Sequence, residues 1–107
     1  MAEAPWTELT GIDAEVSQFP ARARLAGEGI LVFDTSYGLR GVQRTCPHLN
    51  SSLMDAQIID NGTKLRCTAH IYTYRLSDGK GVNCPGVRLR VYEVKRENGV
   101  LLARPIA

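Results

Sequence analysis

The stretch RTCPHLNSS, residues 44–52, sets Cys46 two positions before His48 with Pro47 between them. A second stretch, RCTAHIY (66–72), sets Cys67 three positions before His70. Together these four residues take up both histidines of the chain and two of its three cysteines. Thiolate and imidazole side by side suit zinc, copper or iron–sulfur chemistry. A structural zinc finger usually gathers its two cysteines in one arm and its two histidines in the other. Here each arm carries one of each. A cysteine and a histidine flanking a single proline reach one small tetrahedral ion with difficulty, and two different metal atoms more easily.

The rest of the chain bounds the setting of these arms. At 107 residues it has room for one domain, 1–107, with a single modest core. Thirteen Lys and Arg stand against eleven Asp and Glu, and no basic run forms along the sequence. That argues against a nucleic-acid partner. The longest uninterrupted apolar run, ILVF at 30–33, is far shorter than the ~20 residues of a membrane helix. The opening MAEAPWTEL shows neither the positive n-region nor the apolar h-region of a secretory leader. Three cysteines cannot close a disulfide framework. A soluble, cytoplasmic, monomeric protein is the expectation.

The local patterning reads as all-β. GILVFD (29–34) and RGVQRT (40–45) form strand candidates joined by a tight TSYG connection. AQIID and TKLRC flank Asn61-Gly62, and Asn98-Gly99 leads into VLLARP; both dipeptides suit turns that need positive φ. VRLRVYEVKR (87–96) alternates at Val87, Leu89 and Val91, then slips one register at Tyr92 and Val94, which predicts a bulge. The best helical candidate is GIDAEVSQF (11–19). These features predict a small antiparallel barrel or sandwich. Between about 45 and 86 the texture turns loop-rich, and all the Cys and His fall there. This segment is expected to be a subdomain inserted into the β base, with the two Cys-His arms on neighbouring loops.

CPH followed by CTAH resembles the Rieske signature, C-x-H followed by C-x-x-H. HIYTYRLSDGKGVN resembles the stretch after the second histidine in Rieske ferredoxins, and NCPG (83–86) stands where such proteins carry a covering loop. The eighteen residues between His48 and Cys67 are slightly more than in many relatives. Within the family the chain looks most like the ferredoxin component of toluene-4-monooxygenase-type diiron hydroxylases, and next like those of aromatic ring-hydroxylating oxygenase systems. The resemblance implies one [2Fe–2S] cluster, with Cys46 and Cys67 on one iron and His48 and His70 on the other. It further implies an electron carrier rather than an enzyme. Such a carrier runs between an NAD(P)H-dependent flavoprotein reductase and a terminal oxygenase. The small subunit of a nitrite reductase, which shares the fold, and a structural zinc-binding module with the same four residues are the alternatives. A redox-sensing subunit that serves no oxygenase is another.

The resemblance also bears on tuning. High-potential relatives place a Ser two positions and a Tyr four positions after the second histidine; here those positions hold Tyr72 and Tyr74. They also join the cluster loops by a disulfide, for which neither arm has a cysteine: Leu49 and Ala69 stand nearby. A low-potential carrier is implied, with Tyr74 donating a hydrogen bond to a ligand sulfur. Pro47, Leu49, Ile71 and Pro85 are expected to ring the histidines as an apolar docking tip. Cys84 is read as a buried filler and Trp6 as a core aromatic. Asp55, Asp60, Arg88 and Arg90 are read as solvated faces.

Overall fold

A computed structural model of the chain describes residues 5–47, 51–68, 72–84 and 86–106. Nine strands are found among them: β1 (Thr7–Glu8), β2 (Ala21–Leu25), β3 (Glu28–Thr35), β4 (Gly38–Gln43), β5 (Gln57–Ile59), β6 (Lys64–Arg66), β7 (Thr73–Arg75), β8 (Val91–Glu97) and β9 (Val100–Pro105). Six form one antiparallel sheet in the order β1-β9-β8-β4-β3-β2, and β5-β6-β7 form a smaller one. Just past β1, Thr10 exchanges two backbone hydrogen bonds with Arg24 of β2, at 3.0 and 2.9 Å. The two edges of the large sheet are thereby joined, and the sheet curls into a barrel. Closing a sheet in this way covers edge groups that would otherwise invite other strands.

The barrel has a core on each side of its wall. Leu9, Ala23, Ile30, Val32, Tyr92, Val94, Leu101 and Ala103 fill the interior. Leu31, Phe33, Val42 and Val91, on the opposite face, pack outward against Leu53, Leu65, Tyr74, Leu76, Leu89 and the three cysteines. Strands buried on both faces read as continuous apolar runs, and this is why residues 30–33 are uninterruptedly apolar. The same arrangement corrects the expected bulge at 91–92. Val42 pairs with Val91, Gly41 with Tyr92 and Arg40 with Glu93, one to one with no residue skipped. The apparent slip arises because Val91 serves the outer core and Tyr92 the inner one.

The expected turns form. Asn98 and Gly99 close β8–β9 with φ of 52° and 80°. Asp60, Asn61 and Gly62 all take positive φ in the β5–β6 connection, which spans four residues rather than two. The helix expected over 11–19 does not form, and the segment runs as bends and turns. Asp13 diverts it: its carboxylate accepts the Glu15 N–H at 2.9 Å and its carbonyl accepts the Val16 N–H at 3.0 Å. That local side-chain bond competes with helical hydrogen bonding. Trp6 is not a core residue. Leu9 points into the barrel, and period-two alternation puts Trp6 on the outside. There Lys95 Nζ and Arg104 Cζ each lie 4.3 Å from its ring centroid.

Three fastenings hold the β5-β6-β7 lobe to the barrel. Gln43, buried at the end of β4, accepts the Arg90 N–H at 2.8 Å and donates to the Thr45 carbonyl at 2.8 Å. It thus joins the point where the chain leaves the barrel to the point where it returns. Ser36, in the β3–β4 turn, donates its backbone N–H to the Gly62 carbonyl at 3.0 Å. Gly79, in the turn after β7, lies so close to Leu89 that a Cβ would stand 2.0 Å from the Leu89 carbonyl oxygen, at a φ of +81°.

Two outcomes follow from the 76–80 turn. Gly79→Ala combines a forbidden φ with that clash and should destabilise the fold by about 2 kcal/mol or more, read as a lower urea midpoint at unchanged m. In the same turn Asp78 pairs with Arg75 and accepts the Lys80 N–H at 3.0 Å. The Arg75 guanidinium first, then that N–H, pulls its carboxyl down to about 2. A depressed carboxylate stabilises the fold above its unfolded pKa, and that contribution fades as pH falls from about 4 towards 2. Melting temperatures of the native chain and Asp78→Asn should therefore differ at pH 7 and converge near pH 2.

Candidate metal centre

The two cysteines occupy equivalent places in two hairpins. In the first, Leu53 donates to the Arg44 carbonyl at 2.9 Å, Thr45 pairs with Ser52, and Cys46 donates to the Ser51 carbonyl at 2.7 Å. In the second, Leu65 pairs with Tyr74, Arg66 pairs with Thr73, and Cys67 donates to the Tyr72 carbonyl at 2.8 Å. Among the described residues, each cysteine is the last paired one on the outgoing side of its hairpin. Cys46 is fully buried and Cys67 is 1% exposed, both in the outer core. His48 and His70 follow inside the segments these bonds close, and both lie outside the described residues, as do Leu49, Ile71 and Pro85. Pro47 is half-buried.

Tyr74 stands between the hairpins. It is completely buried, and its hydroxyl lies 3.2 Å from Cys46 Sγ. Burial first, then the hydrogen bond to Cys46 and the nearness of Cys84, hold the phenol protonated far above the ordinary tyrosine range. Once Cys46 is a thiolate its sulfur has no proton to give, so the hydroxyl must be the donor. Tyr72 is half-buried and packs against the same core.

A third segment closes over Tyr74. Tyr74 pairs with Gly81, Val82 donates to the Thr73 carbonyl at 2.8 Å, and Asn83 Oδ1 accepts the Thr73 N–H at 2.9 Å. A Cβ at Gly81 would meet both the Cys84 sulfur and its carbonyl oxygen at 2.6 Å. Glycine there lets Cys84 tuck inward, where it is 6% exposed and fills the core as expected. No two of the cysteines form a disulfide. Two thiols at matching hairpin ends in one dry core, with a phenol proton aimed at one, suit thiolates bound to iron. The O–H···S bond offsets part of the charge that burial penalises.

The family model of the Rieske [2Fe-2S] domain matches residues 8–93. The chain belongs to the Rieske [2Fe-2S] domain family. Its cofactor is accordingly a [2Fe–2S] cluster. The Rieske chain is 31% identical over 74 residues to the ferredoxin subunit of methanesulfonate monooxygenase from Methylosulfonomonas methylovora, covering 69% of this chain and 59% of that one. It is 33% identical over 57 residues to the ferredoxin component of the alkene monooxygenase system of Xanthobacter autotrophicus, covering 53% and 46%. It thus spans about half the length of these curated relatives. In fold it matches the ferredoxin of carbazole 1,9a-dioxygenase from Nocardioides aromaticivorans, with a TM-score of 0.70 at 16% identity, over 94% of this chain and 98% of that one.

Some residues around the centre carried no sequence signal. Gln43 and Gly81 shape it from outside the motif, and only their contacts reveal them. Arg88 and Arg90, expected to be merely solvated, are bonded: Arg88 Nε donates to the Asp78 carbonyl at 3.1 Å, and Arg90 pairs with Glu28 at 2.6 Å. Asp55 is exposed, and Asp60, also exposed, pairs with Lys64 at 2.9 Å.

Hydrogen bonds to the sulfur ligands of such a cluster raise its reduction potential, because they stabilise the more negative reduced state. Tyr74→Phe should keep the cluster but lower the potential by some tens of millivolts, about 1 kcal/mol of differential stabilisation on a one-electron couple. Protein-film voltammetry of the two forms checks this, and equal potentials would remove Tyr74 from the tuning set.

Proposed function

We propose that this chain is an electron-transfer ferredoxin, taking single electrons from an NAD(P)H-dependent flavoprotein reductase and delivering them to a terminal oxygenase. The observation that carries this is the pair of buried cysteines at matching hairpin ends, joined through Tyr74 to one core. In this reading Cys46 and Cys67 hold one iron as thiolates, and His48 and His70 hold the other as neutral imidazoles. When bound, the cluster supplies a one-electron couple, and Rieske centres span about −150 to +300 mV against about −400 mV for plant-type clusters. The protein's own part is to keep the cysteine side dry, to hold a proton on Tyr74, and to set the two hairpins in fixed relation. The segment 45–86 is the cluster-binding lobe of a single domain, 1–107.

Both curated relatives come from monooxygenase systems, and on that likeness the favoured acceptor is a monooxygenase rather than a ring-hydroxylating dioxygenase. No helix among the described residues is long and apolar enough to cross a membrane. A monomer acting in the cytoplasm is the simplest form of such a carrier. Small apolar tips suit brief redox encounters, which use small interfaces.

The test is reconstitution. The purified chain should be red-brown, give an electron paramagnetic resonance signal on reduction, and support NADH-driven hydroxylation with a reductase and a hydroxylase. Cys46→Ser, Cys67→Ser, His48→Ala and His70→Ala should each lose the colour and the signal. A colourless, silent protein containing zinc would overturn the reading.

A further inference from the structure

Thirteen basic side chains are spread along the sequence without a run, yet the fold gathers three of them into one place. Arg22 and Arg24 project from the same face of β2, two residues apart. Arg24 pairs with Gly29 on β3, and Arg44 follows the Ile30–Gln43 pair by one step, so Arg24, Gly29 and Arg44 lie in one row across three strands. A Cβ at Gly29 would fall 2.5 Å from Arg44 Cδ. Glycine at that position therefore lets the Arg44 side chain lie flat across β3 towards β2. The result is a shallow groove of about 400 Å³ lined by these three arginines and by Gly11, Gly27 and Gly29, with no acidic side chain.

These arginines differ from most others in the molecule. Arg75, Arg90 and Arg104 pair with carboxylates, and Arg88 and Arg96 donate to carbonyls. Among the described residues, the side chains of Arg22, Arg24 and Arg44 make no hydrogen bond or ion pair. All three are exposed. Three like charges on one patch repel one another, and nothing intramolecular repays that.

The groove also has a definite address. Arg22 pairs with Leu31, and Leu31 with Val42. Leu31 and Val42 belong to the core under the lobe, so the arginines lie on the barrel face that carries it. Arg44 opens the first hairpin, two residues before Cys46, which is at most about 7 Å along an extended chain. We propose that this groove docks a carboxylate-bearing surface of a protein redox partner and so orients that partner beside the root of the Cys46 arm. Arginine forks match carboxylates in paired hydrogen bonds, and a concentrated unneutralised charge speeds and orients encounter. A nucleic-acid strand fits less well, since the groove has no aromatic side chain on which a base could stack. The identity of the partner as a redox protein rests on the ferredoxin reading; the acidic character of the occupant does not.

A fluorescein-labelled decaglutamate peptide, titrated into the cluster-loaded full chain and followed by anisotropy, tests the surface without any partner enzyme. Wild type should bind it, more weakly as salt rises. Arg22→Gln/Arg24→Gln/Arg44→Gln together should weaken binding about tenfold or more, with an unchanged visible spectrum and melting temperature. Arg66→Gln/Lys80→Gln, which removes one half-buried and one exposed cation elsewhere on the chain, should change it less than twofold. Equal loss in both variants, or none in the triple variant, would overturn the assignment. So would a labelled oligonucleotide or inorganic phosphate occupying the three arginines more tightly than the peptide. A chain that binds the peptide in this way but fails to support NADH-driven turnover would sink the carrier reading and leave the dock for an acidic surface standing.

Discussion

The 3.2 Å contact between the Tyr74 hydroxyl and the Cys46 sulfur constrains both hairpins at once. Tyr74 belongs to β7, and Cys46 belongs to the hairpin that leaves β4. Neither polar atom can be left unpaired in a core whose other members include Leu31, Phe33, Leu53, Leu65 and Leu76. The phenol therefore has to reach the sulfur, and the hairpins must keep the spacing that lets it. The pairing of Tyr74 with Leu65 on one side and Gly81 on the other removes its freedom to drift. One side chain thereby ties the roots of the two hairpins into a single seat.

That seat is mounted on a barrel wall with two working faces. Leu31, Phe33 and Val42 look outward into the lobe, while Ile30 and Val32 look inward. The lobe is pinned where it departs and returns, through Gln43, and again where the Gly62 carbonyl receives the Ser36 N–H. The hydrogen bonds sit at the rim and the apolar contacts fill the middle. This arrangement keeps water from the cysteine side.

Much of this was legible in the sequence because it depended on local chemistry. Asn98-Gly99 demanded a turn, ILVF demanded burial, and CPH with CTAH pointed to the family whose model matches residues 8–93. The readings that failed were the ones that tertiary contacts decide. The apparent slip at Tyr92 was not a bulge but a change of core, which no one-strand pattern can distinguish. The 11–19 segment had helical spacing, yet Asp13 captured the amides a helix needs. Gly29 looked like any strand glycine until Arg44 was found lying over it. The arginine groove was invisible for the same reason: Arg22 and Arg24 lie twenty or more positions from Arg44, and only the β2–β3–β4 register unites them.

The division of apolar residues between the two sides of the barrel wall has a further consequence. None of the eight residues filling the interior comes from the segment between β4 and β8, and none is a cysteine. The scaffold thus closes on groups that owe nothing to iron or sulfide. A chain without its cluster can therefore still pack the barrel interior, since no group there belongs to the lobe. Loss of the cofactor thus need not unravel the wall.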